Sequence, residues 1–241
     1  MLTDVVKQQI QSAYSEFLSR KQLKPRYGQR LMIAEIAKCL GGIAMDPEGK
    51  RTSDNHVCVV EAGAGTGKTL GYLIAVMPLA RALEKKVVLA TATVALQDQI
   101  VNKDIPDLLR NSDLSFTYAL AKGRGRYLCL SKLDRLMTPG ADVGSTLALW
   151  EDLQSFAVDK HEAELYRAMD KAIENRQWDG DRDNWPDGID DFTWRRVTND
   201  HRGCTGRNCG FYEDCPFYFA RNDIYRSDLI VANHDLVLAD L

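Results

Sequence analysis

The stretch HVCVVEAGAGTGKTLGYLIAV, residues 56–76, constrains this chain more than any other. An apolar run at 57–60 is followed by a glycine-rich turn and then by apolar positions at helical spacing. That order reads as strand, tight turn, helix. The turn EAGAGTGKT (61–69) departs from the phosphate-loop pattern G-x-x-x-x-G-K-[ST] only at its first position, where Ala62 stands for glycine. Gly63, Gly65 and Gly67 allow backbone N–H groups to turn inward around phosphate oxygens. The helix that follows adds its N-terminal dipole. The segment Ala62, Gly63, Ala64, Gly65, Thr66, Gly67 is therefore expected to cradle a nucleotide. Lys68 would reach the β- and γ-phosphates and Thr69 would ligate Mg²⁺.

The surroundings repeat this rhythm. KVVLATATVALQDQI (86–100) reads as strand, turn, helix, and SFTYAL (115–120) as a further strand. Two helical patterns precede the loop, over 2–20 and 27–40, the second stopping at Gly41-Gly42. Alternating strands and helices predict an α/β fold with a parallel sheet. Residues 122–220 break the alternation, with helical stretches near 145–176, an acidic loop WDGDRDNWPDG and a cysteine cluster. They read as an insertion, after which the apolar run 228–232 returns to the sheet. The expected division is 1–120, an inserted domain 121–220, and 221–241.

Phosphoryl transfer also requires a carboxylate on Mg²⁺ and a group that orients the attacking water. An Asp-Glu pair ending an apolar strand would supply them, and none follows residue 69 in such a setting. The motor half is therefore expected to be incomplete and the chain alone inactive in turnover. Upstream, Gln29 in PRYGQR lies at a distance from which a glutamine reads an adenine edge, or it is an exposed glutamine at a helix start.

Cys204, Cys209 and Cys215 fall within a dozen residues, at spacings too long for paired zinc knuckles. A fourth soft ligand has to come from Cys39, Cys58, Cys129 or His201. Cys39 and Cys58 lie in apolar patterns and read as core. Cys129, in KGRGRYLCLSK, opens the insertion that the triplet closes, so Cys129, Cys204, Cys209 and Cys215 form the expected set. Four thiolates suit a [4Fe–4S] cluster or Zn²⁺.

The net charge is −3 and 27% of residues are charged, which excludes a uniformly basic coat. Residues 151–191 hold 13 acids against 5 bases, a net −8, so the other 200 residues carry +5. Lys122, Arg124, Arg126, Lys132 and Arg135 form one basic cluster, and Arg195, Arg196, Arg202 and Arg207 another. Both flank the cysteines. Tyr127, Trp194, Phe211, Tyr212, Phe217 and Tyr218 are interleaved with them. Charges for phosphates and rings for bases would suit a single-stranded nucleic acid. Thr91, Thr93, Gln97 and Gln99 lie past a strand end, where sheet ligands bind, and could contact phosphates. No apolar run is long enough to cross a bilayer, and the start lacks the order of a signal peptide. A cytoplasmic setting follows, in which clustered cysteines bind metal or react rather than form disulfides.

In this order, EAGAGTGKT, TATVALQDQI, GRGRYLC, CTGRNCGFYEDCPF and VANHDLVLADL resemble the iron–sulfur helicases of superfamily two, the XPD-like group, and its bacterial DinG type in particular. The resemblance covers nearly the whole chain. It implies an incomplete RecA-like P-loop domain carrying an inserted, mainly helical iron–sulfur domain. It implies ATP and Mg²⁺ at the loop, with Gln29 in the Q-motif region, and a [4Fe–4S] cluster on the four named cysteines. For the full-length protein it implies a 5′→3′ ATP-dependent DNA helicase acting on single-stranded and forked DNA and on RNA–DNA hybrids; no membrane partner is expected, and the oligomeric state is left open, with a monomer the default. The segment carrying the second carboxylate motif, and all that follows it in the family, would be missing here.

Overall fold

A computed structural model describes residues 2–54, 56–63, 65–138 and 159–239. The chain divides into two compact units, one made of residues 1–121 with 224–241 and the other of residues 122–223.

In the first unit, α1 (Asp4–Arg20) and α2 (Tyr27–Leu40) precede α3 (Lys68–Ala82), which opens directly at the glycine-rich turn. Thr3 caps α1 by accepting from the Val6 N–H. The α3 helix is apolar nearly all round, and Leu73, Ile74 and Ala75 are fully buried. Burial of a Leu or Ile side chain stabilises by roughly 1.5–3 kcal/mol, so α3 forms as the centre of this core rather than as an amphipathic surface helix. It lies close against α2: a Cβ on Gly71 would fall 2.1 Å from the Met32 methyl carbon. That approach fixes the start of α3 relative to α2.

The sheet is parallel and three-stranded, in the order β1 (Val87–Thr91), β3 (Leu229–Asn233), β2 (Tyr118–Leu120). Val87 pairs with Leu229 and Thr91 with Asn233, while Tyr118 also pairs with Leu229. The central strand β3 therefore comes from the chain's return, after the intervening residues 121–228. Beyond β1 come α4 (Val94–Gln99), a π-helical turn (Ile100–Asp104) and α5 (Ile105–Asn111), and beyond β3 comes α10 (His234–Ala239). At the entry of β1, Lys86 Nζ donates to the Tyr225 and Ser227 carbonyls at 2.6 and 2.8 Å.

Two expectations about strands need correction. The run at 57–60 forms no ladder, and Val57 and Val59 are 77% and 91% exposed. Its alternation turns only Cys58 onto the core, where it is half-buried. Without a neighbouring strand to pair with, an apolar run is not a strand. The strand expected over 115–120 is confined to Tyr118–Leu120, because Thr117 is held instead by the Asp228 carboxylate, at 2.8 Å to its N–H and 2.9 Å to its hydroxyl.

The second unit packs α6 (Leu130–Met137), α7 (Lys160–Glu174) and α8 (Asp191–Val197) around Leu128, Leu133, Tyr166, Met169, Trp178, Trp194 and Val197. Asp159 and Glu162 form a capping box at the start of α7. Of the helical stretch expected near 145–176, residues 145–158 lie outside the described residues. The chain leaves this unit through α9 (Pro216–Arg226).

Candidate functional site

The phosphate-loop residues stand at the start of α3. Gly65 and Gly67 take φ of +75° and +76°, and Gly67 occupies the N-cap in the left-handed region. Side chains rarely adopt that backbone, so both glycines are conformational requirements. The loop is laced from inside: the Thr66 hydroxyl donates to the Gly63 carbonyl at 2.9 Å, and Lys68 Nζ to the Ala62 and Gly63 carbonyls at 2.9 and 3.0 Å. Burial pushes the Tyr72 phenol to a higher pKa, and the neighbouring Thr69 side chain opposes that shift. Ala64 lies outside the described residues.

Two side chains from the α2 region tie the loop down. The Arg26 guanidinium donates to the Gly65 carbonyl at 2.8 Å. Gln29 is 6% exposed, so it is not the surface glutamine that one reading allowed. Its Nε2 donates to the Gly67 carbonyl at 3.1 Å, and its Oε1 accepts from the Tyr14 hydroxyl at 3.0 Å. Among the described residues the arrangement leaves one Gln29 N–H uncommitted beside the loop. A cavity of about 920 Å³ lies alongside, lined among others by Gln29, Glu35, Cys39, Cys58, Val60 and Thr66. The Arg26 and Tyr14 contacts escaped the sequence reading. The adjacency of Arg26 to Gln29 in PRYGQR is the only trace of the first, and Tyr14 looks like any apolar helix position.

The residues past β1 are more structural than expected. Thr91 is buried and donates to the Thr93 carbonyl at 3.1 Å, while Thr93 caps α4 by accepting from the Leu96 N–H. Gln99 reaches Asp104 at 3.4 Å. Gln97 is 4% exposed, and its amide nitrogen has no hydrogen-bond partner among the described residues.

In the second unit, Cys129 sits at the N-cap of α6, and its N–H donates to the Val197 carbonyl at 2.7 Å. Cys204 and Cys209 flank a short 3₁₀ turn (Gly206–Asn208), and Cys215 directly precedes α9. All four are free and half-buried. Burial pushes the Cys215 thiol up, and its nearness to Cys129 and Cys204 adds to the effect. Three of the four thus share one neighbourhood. As placed they do not close on a point: among the described residues no three His, Cys, Asp or Glu side chains are gathered to hold a metal ion. Arg124 stacks its guanidinium 3.9 Å from the Phe217 ring centre and donates to Cys204 Sγ at 2.9 Å. The sequence offered no signal for that contact beyond a nearby arginine.

The basic clusters do not stand free as one face. Lys122 is held by Asp181 and Asp183 at 2.5 and 2.8 Å, Arg126 pairs with Asp183, and Arg196 with Glu162 at 2.9 Å. The acidic excess of this region is thus spent partly on its own cations. Arg135, Arg195, Arg202 and Arg207 are exposed and Lys132 half-buried. Of the rings proposed to stack on bases, Tyr127, Trp194 and Phe217 are core, at 6%, 2% and 9% exposure. Phe211, Tyr212 and Tyr218 are half-buried. A large ring placed between structured helices is drawn inward by its apolar area. No helix among the described residues is long and apolar enough to cross a membrane.

A glycine-rich loop opening a buried helix beside a parallel sheet, joined to a separate cysteine-bearing unit, defines an α/β protein. The chain is 37% identical to the ATP-dependent DNA helicase DinG of Photobacterium profundum, over all of this chain and 33% of that protein. It is 39% identical to the DinG helicases of Escherichia coli K12 and of Salmonella choleraesuis, over 99% of this chain and 32% of each. No family model matches the chain. In sequence it is similar to DinG helicases along its whole length, and it spans about a third of the length of these relatives.

Proposed function

We propose that this chain is the nucleotide-binding part of an ATP-dependent DNA helicase. The match to DinG helicases over its whole length carries the reading, and the loop geometry supports it. In the proposed cycle ATP–Mg²⁺ enters beside 62–69. Lys68 would exchange the Ala62 and Gly63 carbonyls for β- and γ-phosphate oxygens, and Thr69 would offer its hydroxyl to Mg²⁺. Gln29 keeps the loop's end in place through Gly67 and offers its remaining N–H to the base. The inserted unit, residues 121–220, holds a [4Fe–4S] cluster on Cys129, Cys204, Cys209 and Cys215. The donor chemistry fits: four free, half-buried thiols, three of them electrostatically coupled. The set would have to close on binding, since it is not gathered as it stands among the described residues. The cluster, when bound, supplies iron–sulfur bonds that staple the two ends of that unit. Single-stranded and forked DNA, and RNA–DNA hybrids, are the proposed partners, met by the exposed Arg135, Arg195, Arg202 and Arg207.

The test pairs two measurements. ATP turnover is measured on the full-length Lys68→Ala variant, and iron, sulfide and zinc are assayed on anaerobically purified protein with Cys129→Ser and Cys39→Ser variants. Lost turnover with intact iron in Lys68→Ala, and lost iron in Cys129→Ser alone, are expected. Normal turnover in Lys68→Ala refutes the loop assignment. Equal iron in the two cysteine variants, or zinc in place of iron, refutes the cluster.

A further inference from the structure

Cys39 and Cys58 were expected to be buried core thiols, and neither is: both are free and half-buried. Cys39 lies in the last turn of α2, and Cys58 in the middle of the segment that feeds the phosphate loop. Both line the 920 Å³ cavity beside the loop. The chain folds back on itself to bring them together. A Cβ on Gly42 would lie 3.0 Å from the His56 ring nitrogen Nε2 and 3.3 Å from the Cys39 carbonyl oxygen. Burial pushes the Cys58 thiol up, and the nearness of the Cys39 thiol and the Glu35 carboxylate adds to the effect. Little else fixes this segment. It joins no strand, and Val57 and Val59 on either side of Cys58 point outward.

We propose that Cys39 and Cys58 are a redox-sensitive pair, which a hydroperoxide converts to a disulfide tying the segment before the phosphate loop to the end of α2. One thiolate attacks a peroxide oxygen. The O–O bond breaks, hydroxide leaves and takes up a proton as water, and a sulfenic acid remains. The second thiolate attacks that sulfur, the S–S bond forms, the S–O bond breaks, and a second water departs. Two thiols and one hydroperoxide group are consumed; the thiols lose two electrons, which reduce the peroxide. A bonded pair needs its sulfurs about 2 Å apart. Closure therefore draws segment 56–60 onto α2, narrows the cavity between them, and pulls on Glu61 and Ala62 at the loop's entry. Nucleotide affinity falls as a result, and a dithiol reductant restores it. The cross-link stands on the placement of the two cysteines along one cavity, whereas its effect on affinity rests on the nucleotide reading of the loop.

Trypsin separates the two cysteines, since Lys38, Lys50, Arg51 and Lys68 place them in peptides 39–50 and 52–68. Reduced chain is treated with hydrogen peroxide, its remaining thiols are alkylated, and it is digested and weighed. The expected result is peptides 39–50 and 52–68 joined with loss of two hydrogens. The link should vanish with dithiothreitol and be absent from C39S and from C58A. Recovery of both peptides unlinked, or joined only to peptides carrying Cys129, Cys204, Cys209 or Cys215, overturns the pair. Binding of a fluorescent ATP analogue is followed on the same samples. A several-fold loss of affinity on oxidation of the unmodified chain, absent in C39S, supports the regulatory effect. Formation of the link with unchanged affinity overturns that effect. A reduced chain that binds no nucleotide overturns the loop reading instead, and the peptide masses still decide the cross-link.

Discussion

Gln29 and Gly67 are interlocked: the glutamine's Nε2 donates to the glycine's carbonyl oxygen at 3.1 Å, and a Cβ added to Gly67 would lie 2.5 Å from that same nitrogen. Gly67 also holds φ at +76°, where an L side chain costs about 1–2 kcal/mol. Gly67→Ala should therefore strain the start of α3 and expel Gln29 together, lowering stability by about 2 kcal/mol. Gly63 has neither constraint, with nothing within 4 Å of its Cβ position. Gly63→Ala should leave stability within about 0.5 kcal/mol. Urea unfolding of the two variants side by side separates the outcomes, and equal midpoints would mean that the interlock has no energetic weight.

The same glutamine anchors a second prediction. Tyr14 is nearly buried, and its hydroxyl is the partner identified for Gln29 Oε1, at 3.0 Å. Tyr14→Phe keeps the ring and strands a buried carbonyl oxygen, at a cost of about 1–2 kcal/mol. In a Gln29→Ala background the same change should cost much less, because the acceptor is gone. A double-mutant cycle by chemical denaturation reads the coupling directly. Additive losses would show that the hydrogen bond contributes nothing.

What could be read in advance follows the range of the interactions. Helices α1 and α2 and the glycine turn are set by local spacing and φ requirements, and they stand where the pattern placed them. The failure at 57–60 is a failure of partnership: four apolar residues specify a strand only when a ladder receives them. Burial of Tyr127, Trp194 and Phe217 was equally illegible, because composition cannot say which rings a tertiary core will claim. Charge patterning misled for a related reason. Lys122 and Asp181 are 59 residues apart in sequence and 2.5 Å apart in space. The mutual nearness of Cys129, Cys204 and Cys215 was legible, since ends of an insertion are close by construction.

The Lys122–Asp181 contact makes a third prediction. Their side chains are only 12% and 8% exposed. Lys122→Met would leave the Asp181 carboxylate shielded from water without its cation, which costs about 3 kcal/mol. Removing the charge as well, in Lys122→Met/Asp181→Asn, should recover part of that loss. The tryptophans report it, since Trp178 Nε1 donates to the Asp181 carbonyl at 2.8 Å and its ring meets the Trp185 ring edge-on at 4.8 Å. Fluorescence-detected unfolding should show an earlier transition in the single variant than in the double. A single variant no less stable than the double would mean that the carboxylate is adequately hydrated.

Asp228 gives the chain an acid-sensitive clasp. Its carboxylate accepts from the Thr117 N–H and hydroxyl at 2.8 and 2.9 Å, joining the entry of β2 to the entry of β3. These hydrogen bonds, the Thr117 N–H foremost, favour the ionised form and hold its pKa below the ordinary 3.8, with Arg81 and Lys86 acting in the same direction. A carboxyl whose pKa is depressed on folding stabilises the fold at pH well above 3.8. That contribution shrinks as pH falls towards the unfolded value and is lost once pH drops through the folded one. The unmodified chain should therefore lose stability more steeply than Asp228→Asn between about pH 6 and pH 3. Thr117→Val, which keeps the N–H but removes the hydroxyl, should fall between them. Asp190, the N-cap of α8, is depressed in the same direction by its Thr193 hydrogen bonds and is present in all three proteins. Its share cancels in the difference between urea midpoints measured across that range. Parallel pH profiles for the unmodified chain and Asp228→Asn would show that the clasp is equally formed when protonated.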